Sequence, residues 1–290
     1  DGDALVTAQR GRASTVRVWT RAGGTWRCAA VLHAKASSIR SVDVSPDGQA
    51  VAIAGTDTQG RQLIAAWDVR LARVGGAATA TLRHNADYHA RCVRFSPFDD
   101  DHLFACGRNS VRAYRLRKGK LRGQSVHLGD LDLRKAKAAS ADAAEDDART
   151  SPSSASASPD PDFTTLAFAP STRDESKPKK MFVGTTTGAV VQIDYPERRL
   201  ECAYQLHDGA VNALCVSDGI AVSASDDGFV RVWPEDFSDF FLEAEHESAV
   251  TSASASADGA RVLATTAVGS LGVLDVVTHK YETLSRSHAG

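Results

Sequence analysis

Three residues in the C-terminal half invite a catalytic reading. His207, Ser223 and Asp227 are the residue types of a nucleophilic triad. In such a set an imidazole takes the hydroxyl proton while a carboxylate holds the ring in place. A working triad also needs an oxyanion hole and a cleft open to substrate, and neither is legible around these positions. Other chemistry is thinner still. Cys28, Cys92, Cys106, Cys202 and Cys215 are scattered, odd in number and free of any C-x-x-C pair. They read as buried free thiols of a reducing compartment, not as a disulfide framework or a zinc site. There is no phosphate-cradling glycine loop, no His-x-x-x-His pair and no acidic calcium loop. Asp99-Asp-Asp101, after Ser96-Pro97-Phe98, reads as a turn. No catalytic residue, no cofactor and no metal are expected.

The elements that would position these residues are short strands. Around His207 the chain runs Val211-Asn-Ala-Leu-Cys-Val216, then an Asp-Gly turn. Ile220-Ala-Val-Ser-Ala-Ser225 follows, then Asp226-Asp-Gly228, then Phe229-Val-Arg-Val-Trp233. Alternation puts the apolar side chains on one face, and Asp-Gly supplies the positive φ of a tight hairpin. The third-strand landmark recurs at Trp19, Trp67, Tyr114, Ile193, Trp233 and Leu274, with spacings of 48, 47, 79, 40 and 41 residues. Four of the five lie near the period of about 40–45 residues seen in four-stranded propeller blades. A histidine precedes most units, at His33, His84, His207 and His246, and His288 would open another.

These landmarks resemble the WD-repeat family over nearly the whole chain. The resemblance implies an all-β, WD-repeat β-propeller covering residues 1–290. Six units are visible, and the first is incomplete because its innermost strand would lie upstream of Asp1. The chain opens on Asp1-Gly2 without a methionine, so it is expected to be cut from something longer, part of a seven-bladed ring or of a tandem array. The resemblance also supplies a structural role for the triad-like residues. His207, Ser223, Asp227 and Trp233 would form one buried hydrogen-bond chain that fixes the blade. Other units lack the full set: the third has Tyr114 for Trp, and the sixth has Val268 before Gly269 where an Asp would stand.

Two stretches interrupt the pattern. Residues 129–162 are rich in Ala, Ser, Asp and Pro, too poor in apolar residues to offset their ordering entropy. They are expected to be a disordered insertion, with residues 134–149 able to form a short helix. A shorter charged insertion, residues 171–180, separates the first two strands of the fourth unit.

With 42% hydrophobic residues and a formal net charge of −2, the surface as a whole is not built for nucleic acid. No stretch of about 18 apolar residues is present to span a membrane. One local run stands out. Arg108, Arg112, Arg115, Arg117, Lys118, Lys120 and Arg122 fall within fifteen residues that carry no acid. Alternation on an outer hairpin would gather several of them on one face. They would guard an exposed edge by charge, or dock an acidic partner such as a tubulin tail. RNA fits poorly, because only Tyr114 is available for stacking. The opposite character appears at Pro234–Glu243, where Phe237, Phe240 and Phe241 sit among acids. They are expected to pack against the neighbouring blade or to form a docking ridge.

Several stretches show a closer likeness. They include Thr7-Ala-Gln-Arg-Gly-Arg-Ala-Ser-Thr-Val-Arg-Val-Trp19 and Val111-Arg-Ala-Tyr-Arg-Leu-Arg-Lys-Gly119. Asp226-Asp-Gly-Phe-Val-Arg-Val-Trp-Pro-Glu-Asp-Phe237 is another. They resemble the family of WD repeat-containing protein 90 and its algal "proteome of centriole" counterpart. The resemblance implies a non-catalytic interaction scaffold in the cytoskeleton, at a centriole, basal body or cilium. Its partners would be proteins of the centriolar or ciliary microtubule wall, tubulin among them. The alternative is a substrate-receptor or peptide-reader propeller of a regulatory complex. An enzyme is disfavoured, because the innermost strands offer little beyond Ser, Asn212 and Asp43 to converge on.

Overall fold

Alternating apolar residues and turn-forming Asp, Asn and Gly fold this chain into antiparallel meanders. The computed structural model describes residues 4–9, 11, 14–70, 78, 80–84, 88–129, 131, 133, 136–138, 162–169, 178–217 and 219–286. It is all-β, and the described residues form six propeller blades. They fall in two compact units, Asp1–Val126 and His127–Gly290.

The first unit holds three blades. The first has three strands, β1 (Ala4–Ala8), β2 (Thr15–Ala22) and β3 (Thr25–His33). The second contains β4 (Ala36–Val44), β5 (Ala50–Asp57), β6 (Gln62–Asp68) and β7 (Ala80–His84). The third contains β8 (Ala90–Phe95), β9 (His102–Gly107), β10 (Ser110–Arg117) and β11 (Lys120–Ser125). Leu32, Val51, Ile53, Leu63 and Trp67 are buried together between the first two blades. Ala54, Ile64, Val93, Leu103, Tyr114 and Leu121 do the same between the next two.

The second unit begins with β12 (Lys137–Ala138), then β13 (Phe163–Phe168), β14 (Lys180–Thr185), β15 (Ala189–Asp194) and β16 (Arg199–Gln205). These form one five-stranded sheet in the order β12-β16-β15-β14-β13. The next blade contains β17 (Val211–Ser217), β18 (Ile220–Ser225), β19 (Phe229–Pro234) and β20 (Leu242–Glu245). The last contains β21 (Val250–Ala255), β22 (Arg261–Thr266), β23 (Leu271–Asp275) and β24 (Lys280–Ser285).

The fifth strand of the fourth blade departs from the expectation of a structureless insertion. Lys137 and Ala138 pair in parallel with Tyr204 and Gln205, giving partners to backbone groups that the outer edge of β16 would otherwise leave open. The remainder of the expected helix at 134–149 lies outside the described residues, save Ala136. So do residues 171–177 of the charged insertion and His288. Lys180, assigned to that insertion, opens β14 instead.

A bulge recurs near the start of the innermost strand in every four- or five-stranded blade. It falls at Ser37, Arg91, Thr164, Asn212 and Thr251. A bulge leaves one residue unpaired and re-aims its side chain. Thr164 Oγ1 donates to the Val211 carbonyl and Asn212 Nδ2 to the Val250 carbonyl, 2.9 Å away. Each of these bonds joins one innermost strand to the next. In the first unit, Ser41 and Asp43 accept from the Val93 and Phe95 amides at 3.1 and 2.7 Å.

Candidate functional site

The triad-like residues meet inside the fifth blade. His207 follows β16, Ser223 lies on β18, Asp227 sits in the turn after it, and Trp233 is on β19. Trp233 Nε1 donates to Ser223 Oγ at 2.8 Å. Ser223 Oγ lies 2.7 Å from His207 Nε2, and His207 Nδ1 lies 2.8 Å from Asp227 Oδ2. One tautomer satisfies every group: the Ser223 hydroxyl donates to Nε2 while Nδ1–H donates to Asp227. Asp227 also accepts from the Phe229 amide at 3.0 Å. Ser223 is fully buried and His207 is 2% exposed, so these distances give the hydroxyl no face open to a substrate. Nearby, a Cβ on Gly188, whose φ is +86, would collide with the His207 carbonyl.

Burial pushes the His207 imidazole below its ordinary value, outweighing the pull of Asp227 in the other direction; Arg231 adds to the lowering and Asp208 opposes it. Burial would raise Asp227, but hydrogen bonding and charge from His207, the Phe229 amide and Arg231 hold it below the usual carboxylate range. Both shifts act in one direction. An unfolded chain takes up protons on these groups before the folded chain does, so stability rises with pH through each window. Acidification from pH 7 is therefore expected to lower the urea midpoint, first below about 6.5 through His207. A further fall follows below about 3.8 through Asp227. Asp43 works oppositely. Burial, against Arg94, raises its carboxyl, so stability declines as that group ionises above its unfolded value. A midpoint unchanged between pH 7 and pH 5 would remove His207 from this account.

The basic run forms a hairpin on the outer side of the third blade. Lys118 and Gly119, with φ of +47 and +71, make the two-residue turn whose twist matches that of the flanking strands. Arg115 faces Arg122 and Arg117 faces Lys120 across β10 and β11. Residues directly opposite share one face, so these four cations stand together. Asp101 accepts from Arg115 Nε at 2.8 Å and from Arg117 Nε at 3.1 Å. Burial acts to raise the Asp101 carboxyl, but the two guanidinium groups and His102 hold it low. A cleft of about 740 Å³ is lined by Asp101, Leu116 and the five cations from Arg115 to Arg122.

Two members of the run stand elsewhere. Arg112 projects from the opposite face of β10, with its guanidinium 4.3 Å from the centre of the Tyr88 ring. That stacking holds it by a cation–π contact and takes it off the exposed face. Arg108 lies exposed before the other end of β10. In the acidic aromatic loop, Phe237 is buried against Phe182 and Tyr204 of the fourth blade. Phe240 meets Trp233 edge-on, whereas Phe241 is 46% exposed. Among the described residues no cluster of three or more His, Cys, Asp or Glu could hold a metal ion. Among them, too, no helix is long and apolar enough to cross a membrane.

The bulge residues Ser37, Thr164, Asn212 and Thr251 were not legible in the sequence as a group. Their only shared signal is a polar residue one place after each innermost strand begins.

Comparison with known proteins decides what the blades are. Residues 26–61 and 199–234 match the family described as WD domain, G-beta repeat. The chain contains WD repeats. Each matched WD repeat starts in the outermost strand of one blade, β3 or β16, and continues into the next. Covalent continuity thus ties adjacent blades together. Over 291 residues, 99% of this chain, the repeats are 40% identical to "Centriole proteome protein 16" of Chlamydomonas reinhardtii. They are 32% and 30% identical, over 98% of the chain, to "WD repeat-containing protein 90" of Mus musculus and Xenopus tropicalis. The chain spans only 13 to 15% of the length of these three relatives.

Proposed function

We propose that this WD-repeat propeller is a non-catalytic interaction scaffold of a centriolar or ciliary assembly, and that its β10–β11 hairpin docks an acidic protein surface. The observation that carries the reading is the hairpin itself. Five cations line one cleft with a single carboxylate among them. The cellular setting is supported by likeness to the centriole-named relative across 99% of this chain. Acidic segments of the microtubule wall, tubulin tails included, have the complementary charge. Exposed charge pairs of this kind are weak singly and are screened by salt, with a Debye length of about 30 Å at 0.01 M falling to about 10 Å at 0.1 M.

Co-sedimentation with microtubules across a salt series tests this reading. The wild-type chain is expected to pellet at low salt and to leave the pellet progressively as salt rises. A variant carrying Arg115→Glu, Arg117→Glu, Lys118→Glu and Lys120→Glu is expected to stay in the supernatant throughout. Arg112→Ala acts on the Tyr88 stacking face instead and should leave pelleting within about twofold of wild type, since surface cations away from a contact add little. A wild-type chain that never pellets would remove direct tubulin contact from the proposal.

A further inference from the structure

We infer that the outer edge of β11 is a strand-addition site for an extended acidic segment of a partner protein. The inference rests on the reading of the hairpin as a docking surface and specifies how docking occurs. Among the described residues β11 stands last in its sheet, bonded to β10 alone. Its phase is set by the Val126 amide, which donates to the Val111 carbonyl at 2.8 Å. In an antiparallel pair the residues that exchange bonds alternate. Lys120, Arg122 and Gln124 therefore turn their backbone groups toward β10, and Leu121, Gly123 and Ser125 turn theirs outward. Leu121 is buried in the core and Gly123 lies under the Tyr114 ring, which a Cβ there would strike. The register of this edge is therefore pinned.

The same molecule shows that an outer edge can take another strand. In the fourth blade β16 occupies the place that β11 holds in the third, and β12 pairs along its outer side. The edge of β11 differs in charge from β20 and β24, and it carries two cations where β3 and β7 carry one arginine each. β20 carries Glu243 and Glu245, and β24 mixes Lys280 with Glu282. β11 carries Lys120 and Arg122, each directly opposite another cation. Like charges directly opposite destabilise a pair of strands. Asp101 reaches only the β10 member of each pair.

An added strand would lie about 4.8 Å farther out. Acidic residues at every second position would then stand beside Arg122 and Lys120 on the same face. The charge pattern repels a second copy of β11 and selects an acidic strand, so edge protection and recognition come from the same side chains. The recognised class is thus an extended peptide with Asp or Glu at alternate positions and free backbone amides.

A fluorescein-labelled peptide of five Glu-Thr repeats is the probe, measured by anisotropy with the full chain at low salt. Two controls accompany it: the same peptide N-methylated at alternate amides, and five Lys-Thr repeats. The Glu-Thr peptide is expected to bind and to slow hydrogen exchange at the amides of Leu121, Gly123 and Ser125. The N-methylated peptide should bind about tenfold more weakly and the Lys-Thr peptide not at all. Ser125→Pro removes an outward amide without altering charge or a bond to β10. It is expected to weaken Glu-Thr binding roughly threefold to tenfold, the range of one lost hydrogen bond. Equal binding of the two acidic peptides, or no protection at those three amides, would overturn strand addition while leaving the charged docking surface in place. Absence of acidic-peptide binding together with absence of microtubule pelleting would overturn both.

Discussion

Replacing Trp233 with alanine is expected to lower the free energy of unfolding by about 3–5 kcal/mol, the range for truncating a large buried aromatic. The side chain is 1% exposed and packs edge-on against Phe240 with ring centres 5.4 Å apart. Its indole N–H is also the first donor of the chain that runs through Ser223 and His207 to Asp227. Packing and hydrogen bonding can be separated. Trp233→Phe keeps most of the volume but removes the donor, so the Ser223 oxygen loses a partner in a site without water access. Ser223→Ala removes the middle of the chain and strands both the indole N–H and His207 Nε2, at about 1–3 kcal/mol. The double variant should cost less than the sum of the two, with a coupling of about 0.5–3 kcal/mol. Urea denaturation of wild type and these four variants measures all of these. Trp26→Ala is the contrasting case, since Trp26 is 45% exposed and its loss should stay within about 0.5 kcal/mol. If Trp233→Ala cost no more than Trp26→Ala, the buried chain would not be what holds the fifth blade.

What the sequence discloses follows from the range of the interactions involved. Strand alternation and Asp-Gly turns are local, so the blades and most of their strands could be placed from residue types alone. The four residues from His207 to Trp233 were legible because their spacing resembles a known repeat, and the structure brings them within hydrogen-bond distance. The hairpin was only half legible. Alternation gathers several of its cations on one face, and the strand register identifies them as Arg115, Arg117, Lys120 and Arg122. Alternation also turns Arg112 to the other face, but that it stacks there on Tyr88 depends on the segment before β8, which no local pattern reports. The bulged Thr164 and Asn212 were missed for a like reason: their partners, the Val211 and Val250 carbonyls, lie in the next blade. β12 was missed because two residues of an Ala-rich stretch become a strand only when the edge of β16 is there to pair with them. Long-range register, not composition, decides each of these.

Phe237 supplies the second large expected effect, for reasons that also depend on a neighbouring blade. It follows β19 in a turn, with φ of +52 and its amide donating to the Pro234 carbonyl at 3.0 Å. Positive φ is unfavourable for a bulky residue, so the ring's packing must outweigh local strain. Its ring meets Phe182 at 5.1 Å, nearly perpendicular, and Tyr204 at 5.2 Å, and it lies 6.2 Å from Trp233. Phe182 and Tyr204 belong to the fourth blade and Trp233 to the fifth, so Phe237 is the wedge between them. Phe237→Ala is expected to cost about 3–5 kcal/mol. Phe237→Gly should cost somewhat less than the alanine change, because glycine accepts the backbone conformation that alanine does not. Phe241→Ala, four residues on and 46% exposed, should lie within about 0.5 kcal/mol of wild type. Urea midpoints for the three variants decide the matter. An alanine cost below about 1 kcal/mol would place Phe237 among ordinary loop residues and would mean that Phe182 and Tyr204 close the junction without it. A glycine cost equal to or above that of alanine would show that the turn carries no strain for the ring to offset.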